Sequence, residues 1–212
     1  MSCCDHSCFD TQFDAEHAAA DLKRYRRKGP DRTTGIMIAA LRSAGVADAT
    51  VLDIGGGVGV VHHELIAAGA RSATHVDAAE PYVTAAREES ERRGYAGRVT
   101  FLRGDFVALT DVTPDADVVT LDRVICCYPD MERLVTASAQ KARRLFGAVY
   151  PRDRWINRVY VKLDNYWRRR RGSAFRTYIH APAAIERLLR DAGLRPATIR
   201  DTILWRVAVF AR

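Results

Sequence analysis

The chain has 212 residues, enough for one substantial hydrophobic core and tight for two. Hydrophobic residues make up 48% and charged residues 28%, with a net charge of +7, an ordinary soluble composition with a basic excess. No apolar run is long enough to span a bilayer, the amino terminus lacks a signal-peptide layout, and five cysteines are too few and too clustered for a disulfide scaffold, so the expectation is a cytoplasmic protein.

The amino terminus holds Cys3, Cys4, His6 and Cys8, which are metal-ligating residue types. A single tight cluster lacks the second ligand pair of a zinc finger, so no metal is expected there. Phe9 to Arg42 reads as helical, with Phe13, His17, Ala20 and Arg24 along one face, a break at Gly29-Pro30, and Thr34 as a helix cap. The run from Tyr25 to Pro30 is either a basic helix end in solvent or a contact for an acidic ligand group, with Tyr25 a substrate-binding candidate. Residues 1–48 are expected to form a helical cap, and residues 49–212 the main domain.

Thr50 to Ile54 is a short apolar run that predicts a buried strand. It is followed by Gly55, Gly56, Gly57 and Gly59, then by an apolar helical pattern through Val60, Val61, Leu65 and Ile66. Strand, glycine turn and helix make a nucleotide-binding arrangement: backbone can approach a ligand, and the first helical amides point donors at it. Neither register of the glycines satisfies G-x-G-x-x-G, and no Gly-Lys-Ser/Thr closes the cluster, which excludes the dinucleotide and phosphate-loop fingerprints. What remains is Asp53-Ile54-Gly55-Gly56-Gly57-Val58-Gly59, an acid followed by alternating glycines. Downstream, Thr74 to Asp77 ends a second strand in an acid. A helix beginning after Ala78 takes Pro81 in its first turn, stops at Gly94, and has Arg87, Glu88, Glu89, Glu91 and Arg92 as its wet face. Val99 to Phe106 ends a third strand in Asp105 and Phe106, and Asp117 to Arg123 forms a fourth.

This series resembles the class I S-adenosylmethionine-dependent methyltransferases, whose first motif is D-x-G-x-G-x-G and whose second and third strands end in acids. The resemblance implies an α/β fold: a doubly wound, mostly parallel seven-stranded sheet with helices on both faces and a carboxyl-terminal antiparallel hairpin. It implies S-adenosyl-L-methionine as cofactor, with S-adenosyl-L-homocysteine as product. Asp53 would hold the turn or the amino group, Gly55, Gly56, Gly57 and Gly59 would surround the methionine part, and Asp77 with Ala78 would meet the ribose. Asp105 and Phe106 would frame the adenine, and Leu121, Asp122, Arg123 and Cys126 would lie towards the methyl group. Methyl transfer demands alignment more than a fixed catalytic group, so the catalytic residue is open, with Asp122, Arg123, Tyr128 and His180 as candidates. Within the family the layout is similar to the magnesium protoporphyrin O-methyltransferases, but residues 151–180 depart from that pattern, which leaves the acceptor open between small acidic and aromatic molecules.

Cys126 and Cys127 read as buried small hydrophobes. Asp130 is placed to cap a helix through Met131 to Ala142, Phe146 to Tyr150 forms a fifth strand, Pro182 opens a helix ending near Gly193, and Thr198 to Ile203 with Trp205 to Phe210 forms the closing hairpin. Between them, Pro151 to Gly172 carries eight basic and two acidic residues, nearly all of the net charge. Ile156, Tyr160, Leu163 and Trp167 recur at helical spacing within it. Residues 151–180 are read as a substrate lid with Arg152 and Trp155 as contacts, or as a helix packed on the domain by its aromatics; a membrane-surface or nucleic-acid contact ranks below these. The rival functions are a nucleic-acid methyltransferase, a thiol-based metalloid methyltransferase and a non-catalytic cofactor-binding protein. The oligomeric state is open.

Overall fold

The computed structural model describes residues 12–212; the Cys3, Cys4, His6 and Cys8 cluster lies outside the described residues. The elements, in chain order, are α1 (Ala15–Lys28), α2 (Arg32–Ser43), β1 (Thr50–Ile54), α3 (Val60–Ala67), β2 (Ser72–Asp77), α4 (Glu80–Arg92), β3 (Val99–Arg103), β4 (Ala116–Asp122), α5 (Met131–Lys141), β5 (Ala142–Pro151), α6 (Trp155–Arg170), α7 (Pro182–Asp191), β6 (Arg195–Asp201) and β7 (Trp205–Ala211). The seven strands form one sheet in the order β3-β2-β1-β4-β5-β7-β6. β1 to β5 pair in parallel, and β7 enters antiparallel between β5 and β6. This is the expected doubly wound sheet with its closing hairpin. The order reverses at β1 and β4, which is where such folds open a crevice at the carboxyl ends of the strands.

Alternation along the strands sends side chains to two separate cores. Leu52, Ile54, Val119, Leu121, Phe146 and Phe210 face α5 and α7 through Leu134, Val135, Ile185 and Leu189. Val51, Val118, Val149, Val207 and Val209 face α2 and α3 through Met37, Leu41, Val61 and Leu65. α2 crosses β5 closely at Gly147: a Cβ there would stand 3.1 Å from the Met37 sulfur, so that side chain would have to give way. A third cluster, with Leu22, Tyr25 and Tyr82, joins α1 to α4. Among the described residues no helix is long and apolar enough to cross a membrane.

Several local expectations are corrected. α1 buries Ala18, Leu22 and Tyr25, while His17 and Ala20 are exposed. The apolar side chains at spacings of four and three set the face, and the expected row had followed the wrong one. Asp31, not Thr34, caps α2: its carboxylate accepts from the Thr33 and Thr34 amides, a stronger acceptor one turn earlier. Glu89 does not belong to a wet face; it is fully buried, with Arg26, Arg92 and Arg93 closing around it at 2.5–2.8 Å. Burial alone would raise its pKa, but these arginines hold the carboxyl well below the usual range. The reading of α6 as packed by its aromatics also fails: Trp155 is 75% and Tyr160 70% exposed, and the buried residue of the helix is Asn157.

Candidate functional site

A cavity of about 350 Å³ opens at the carboxyl ends of β1, β2 and β4. Its floor is the turn from Asp53 to Gly57, which leaves β1 and enters α3 through Gly59. Gly55, Gly57 and Gly59 have φ of +60, +56 and +85°, so the turn winds through left-handed backbone that side chains disfavour. Asp77, at the end of β2, reaches under the turn: it accepts from the Gly57 amide at 2.9 Å and from the Ala79 amide at 2.9 Å. Among the described residues no cation pairs with it. Burial raises its pKa to about 6 against the pull of those amides.

The adenine-side candidates Asp105 and Phe106 line the same cavity. The Asp105 carboxylate accepts from the Val107 amide at 3.0 Å and from the Tyr128 hydroxyl at 2.8 Å, so Tyr128, also on the wall, is a hydrogen-bond donor in this arrangement. At the end of β4, Asp122 and Arg123 meet the start of α2. Thr34 donates to Asp122, and Arg123 clamps Asp31 and donates to Thr34 at 3.0 Å. Burial raises the pKa of Asp122 despite Arg123, whereas at Asp31 the Arg123 charge and the capped amides overcome burial and hold the carboxyl at about 2. Arg123 sits at φ +62°, a strained position for a non-glycine residue, held by the hydrogen bond its amide donates to the Val149 carbonyl and by this clamp.

Of the other sequence candidates, Gly55, Gly56, Gly57, Ala78 and Tyr25 border the cavity, whereas Gly59 lies outside its lining, on the side of His62 and His63. The Tyr25 hydroxyl donates to Glu64 at 2.7 Å. Leu121 and Cys126 are buried beside the wall, Cys126 donating to the Arg123 carbonyl at 3.2 Å; its neighbour Cys127 is the cysteine that faces the cavity. His180 bonds the Tyr128 carbonyl at 3.0 Å, Arg152 pairs with Asp201 at 3.2 Å, and Trp155 stands in solvent, all three outside the cavity lining. Sequence reasoning missed Asp21, Asp31, Thr34 and Tyr82, which the two amino-terminal helices and α4 bring to the rim. The Asp-Arg-Thr-Thr start of α2 was the one legible signal, as a cap.

Behind the glycine turn lies a buried polar row that crosses the sheet. Thr120, Asp53, His75 and Phe101 are register partners on β4, β1, β2 and β3, and α3 adds His62 and His63 above them. Asp53 is fully buried; Thr120 donates to one carboxylate oxygen at 2.8 Å and His62 Nδ1 meets the other at 2.9 Å. Asp53, His62 and His75 bring ligand-capable atoms within 4.8 Å of one another, but both Asp53 oxygens are already engaged by protein donors. Burial keeps the histidines neutral, lowering His62 and His75 to about 3 and His63 to about 2, with mutual repulsion adding to the effect at His63 and His75. The extra glycines make room for these rings. A Cβ at Gly56 would stand 2.5 Å from His75 Nδ1, and one at Gly59 would stand 2.5 Å from the His63 ring and 2.8 Å from His62 Nε2.

Residues 51–145 match the family model described as a methyltransferase domain. Magnesium protoporphyrin IX methyltransferase (ChlM) from Synechocystis PCC 6803, solved with bound SAH, superposes with a TM-score of 0.72 at 21% identity, covering 98% of this chain and 100% of that one. An O-methyltransferase family protein from Burkholderia thailandensis gives 0.72 at 18% identity over 96% of this chain and 62% of its own. The cyclase SpnF gives 0.64 at 15% identity over 85% of this chain and 80% of its own. No curated protein sequence matches the chain. The glycine turn, the acid that ends β2, the acid two residues beyond β3, the sheet order and these matches agree: the chain has the class I methyltransferase fold, and its residues 51–145 match a methyltransferase domain.

Proposed function

We propose that the chain binds S-adenosyl-L-methionine in this cavity and transfers its methyl group to a small-molecule acceptor. The observation that carries the reading is the convergence of the Gly55 to Gly57 turn, Asp77 and Asp105 on one cavity at the switch point of the sheet. The donor set fits the cofactor. Asp77 presents a carboxylate without a cation partner among the described residues, an acceptor for a vicinal diol, and Gly55 to Gly57 offer backbone to the cavity. Phe106 and the Asp105 backbone suit a flat base.

When bound, the cofactor supplies a methyl group activated on sulfonium. The protein then has to orient the two reactants and exclude water, and orientation is worth roughly 7–11 kcal/mol. Asp122, Asp31 and Arg123 form the polar end of the cavity nearest β4, where Thr34 ties the first helices to the strand. Gly55 to Gly57 and Asp77 hold the cofactor; Tyr25 and the residues from the first two helices close over it. In this reading residues 1–48 act as a cap, residues 49–212 as the catalytic domain, and residues 151–180 as the border of the acceptor site.

Calorimetric titration tests the reading. S-adenosyl-L-methionine should bind and a nicotinamide dinucleotide should not, and Asp77→Ala should weaken binding at least about tenfold, about 1.4 kcal/mol. Absence of binding by both the cofactor and S-adenosyl-L-homocysteine overturns it. Binding without turnover across an acceptor screen would favour a chain that uses the cofactor without transfer, a distinction that fold alone never makes.

A further inference from the structure

α6 is amphipathic in the inverted sense. At about 100° per residue, Trp155, Ile156, Val159, Tyr160, Leu163, Tyr166 and Trp167 occupy an arc of about 140°, and all seven are exposed, by 44–75%. The opposite side, which meets the domain, is mostly polar, with Val161 as its one apolar residue. Asn157 is buried and donates to the Arg152 and Leu204 carbonyls at 2.7 and 2.9 Å, Asn165 exchanges two hydrogen bonds with the Thr177 backbone, and Arg168 pairs with Asp164 at 2.6 Å. These bonds fix the rotation of the helix, so the apolar arc cannot turn inward without breaking them. The β6–β7 turn, bonded to the start of α6 through the Leu204 carbonyl, adds Ile203, 73% exposed. Arg158, Lys162 and Arg169 flank the arc on one side, and Arg170 and Arg171 sit at its end.

We propose that α6 lies in the interfacial layer of an anionic lipid bilayer, its aromatic arc immersed and its basic flank paired with lipid phosphates and carboxylates. Tryptophan and tyrosine suit that depth because each joins a large apolar ring to a polar tip. The charge chooses the occupant. The segment from Pro151 to Gly172 carries eight bases against two acids, so a second copy of this chain seated on the arc would set two such clusters face to face, while an anionic bilayer complements them. A nucleic acid would meet the arginines but leave the aliphatic side chains Ile156, Val159 and Leu163 in water. The segment leaving α6 borders the cavity: Phe175 packs edge-on against Phe13 of the cavity wall at 5.3 Å, and the Tyr178 amide donates to the Cys126 carbonyl at 2.7 Å. Docking of α6 would thus bring the cavity to the headgroup layer.

The test is flotation of the full chain with vesicles of phosphatidylcholine, with and without phosphatidylserine, followed by tryptophan emission. The chain should float with the anionic vesicles only, with a blue shift, and raised salt should release it. The variant Tyr160→Ser/Leu163→Ser/Trp167→Ser should lose binding by about tenfold or more, and Arg169→Glu/Arg170→Glu should lose the preference for anionic lipid. Both variants change exposed positions, and an unaltered melting temperature checks that they fold. Equal recovery with neutral vesicles, or none with either, overturns the proposal. So does a wild-type dimer in sedimentation that the first variant abolishes, or binding of a single-stranded oligonucleotide in place of vesicles.

Discussion

His75→Leu should make the protein more acid-resistant, and the size of the effect follows from burial. His75 is fully buried on β2, and neither ring nitrogen has a hydrogen-bond partner among the described residues. Burial, with repulsion from His62, lowers its pKa from 6.5 to about 3. The sign is that of a base whose folded pKa is depressed. Its neutral form is compatible with the fold above 6.5; below that the unfolded chain takes up a proton that the native state refuses, and stability falls until pH reaches about 3. At about pH 5 the gap from the unfolded value is about one and a half units, or about 2 kcal/mol. The leucine variant does not titrate, and at about pH 8 it already sheds two unpaired buried nitrogens, each a desolvation cost of about 1–3 kcal/mol. Urea unfolding of both proteins at about pH 8 and about pH 5 should show the variant's advantage growing by about 2 kcal/mol towards acid. Parallel changes in the two proteins would refute the account of a buried, neutral, proton-refusing ring.

Gly56→Ala should lower stability by about 1–3 kcal/mol, because its Cβ meets His75 Nδ1 and Asp53 Oδ2 at 2.5 and 2.9 Å. His75→Ala in the same chain should recover part of that loss, and a melting-temperature cycle reads the coupling. Glu89→Gln removes the charge on which Arg26, Arg92 and Arg93 converge and should cost about 1.5–3 kcal/mol at neutral pH. Since the folded pKa of Glu89 is depressed, that advantage of the wild type is present above the ordinary value of 4.5 and fades as acid is added, which denaturation at two pH values will show. Affinity for S-adenosyl-L-methionine should fall as pH drops through about 6, where Asp77 gains a proton and can no longer accept two hydroxyls as a carboxylate; titration of Asp77→Ala should give a flatter profile.

The sheet and the floor of the cavity were legible because both rest on local patterns. Short apolar runs ending in Asp53, Asp77 and Asp105, separated by helix-length intervals, dictate a parallel sheet whose acids share one edge. Three things were not legible, for different reasons. Glu89 shares a helical face with Tyr82 and Ala86, but its charge masks that placement, and its burial is made tolerable by Arg26 arriving from α1 to join Arg92 and Arg93. The use of the Gly56 space by His75 requires β2 to be aligned with β1, a register known only after folding. The sidedness of α6 could not be read from its amphipathic pattern, because periodicity defines two faces without saying which one meets the domain.

The position of β7 has a consequence for biosynthesis. β5 is paired on one side by β4, but its other edge is covered only by β7, where Leu145 meets Ala211 and Pro151 meets Trp205. While the ribosome is still making α6, α7 and β6, the apolar stretch from Leu145 to Tyr150 is therefore an open strand edge, the geometry most prone to pairing between nascent chains. Loss of residues 205–211 would make that transient hazard permanent, so a frameshift or premature stop there would yield aggregates instead of a weakened protein.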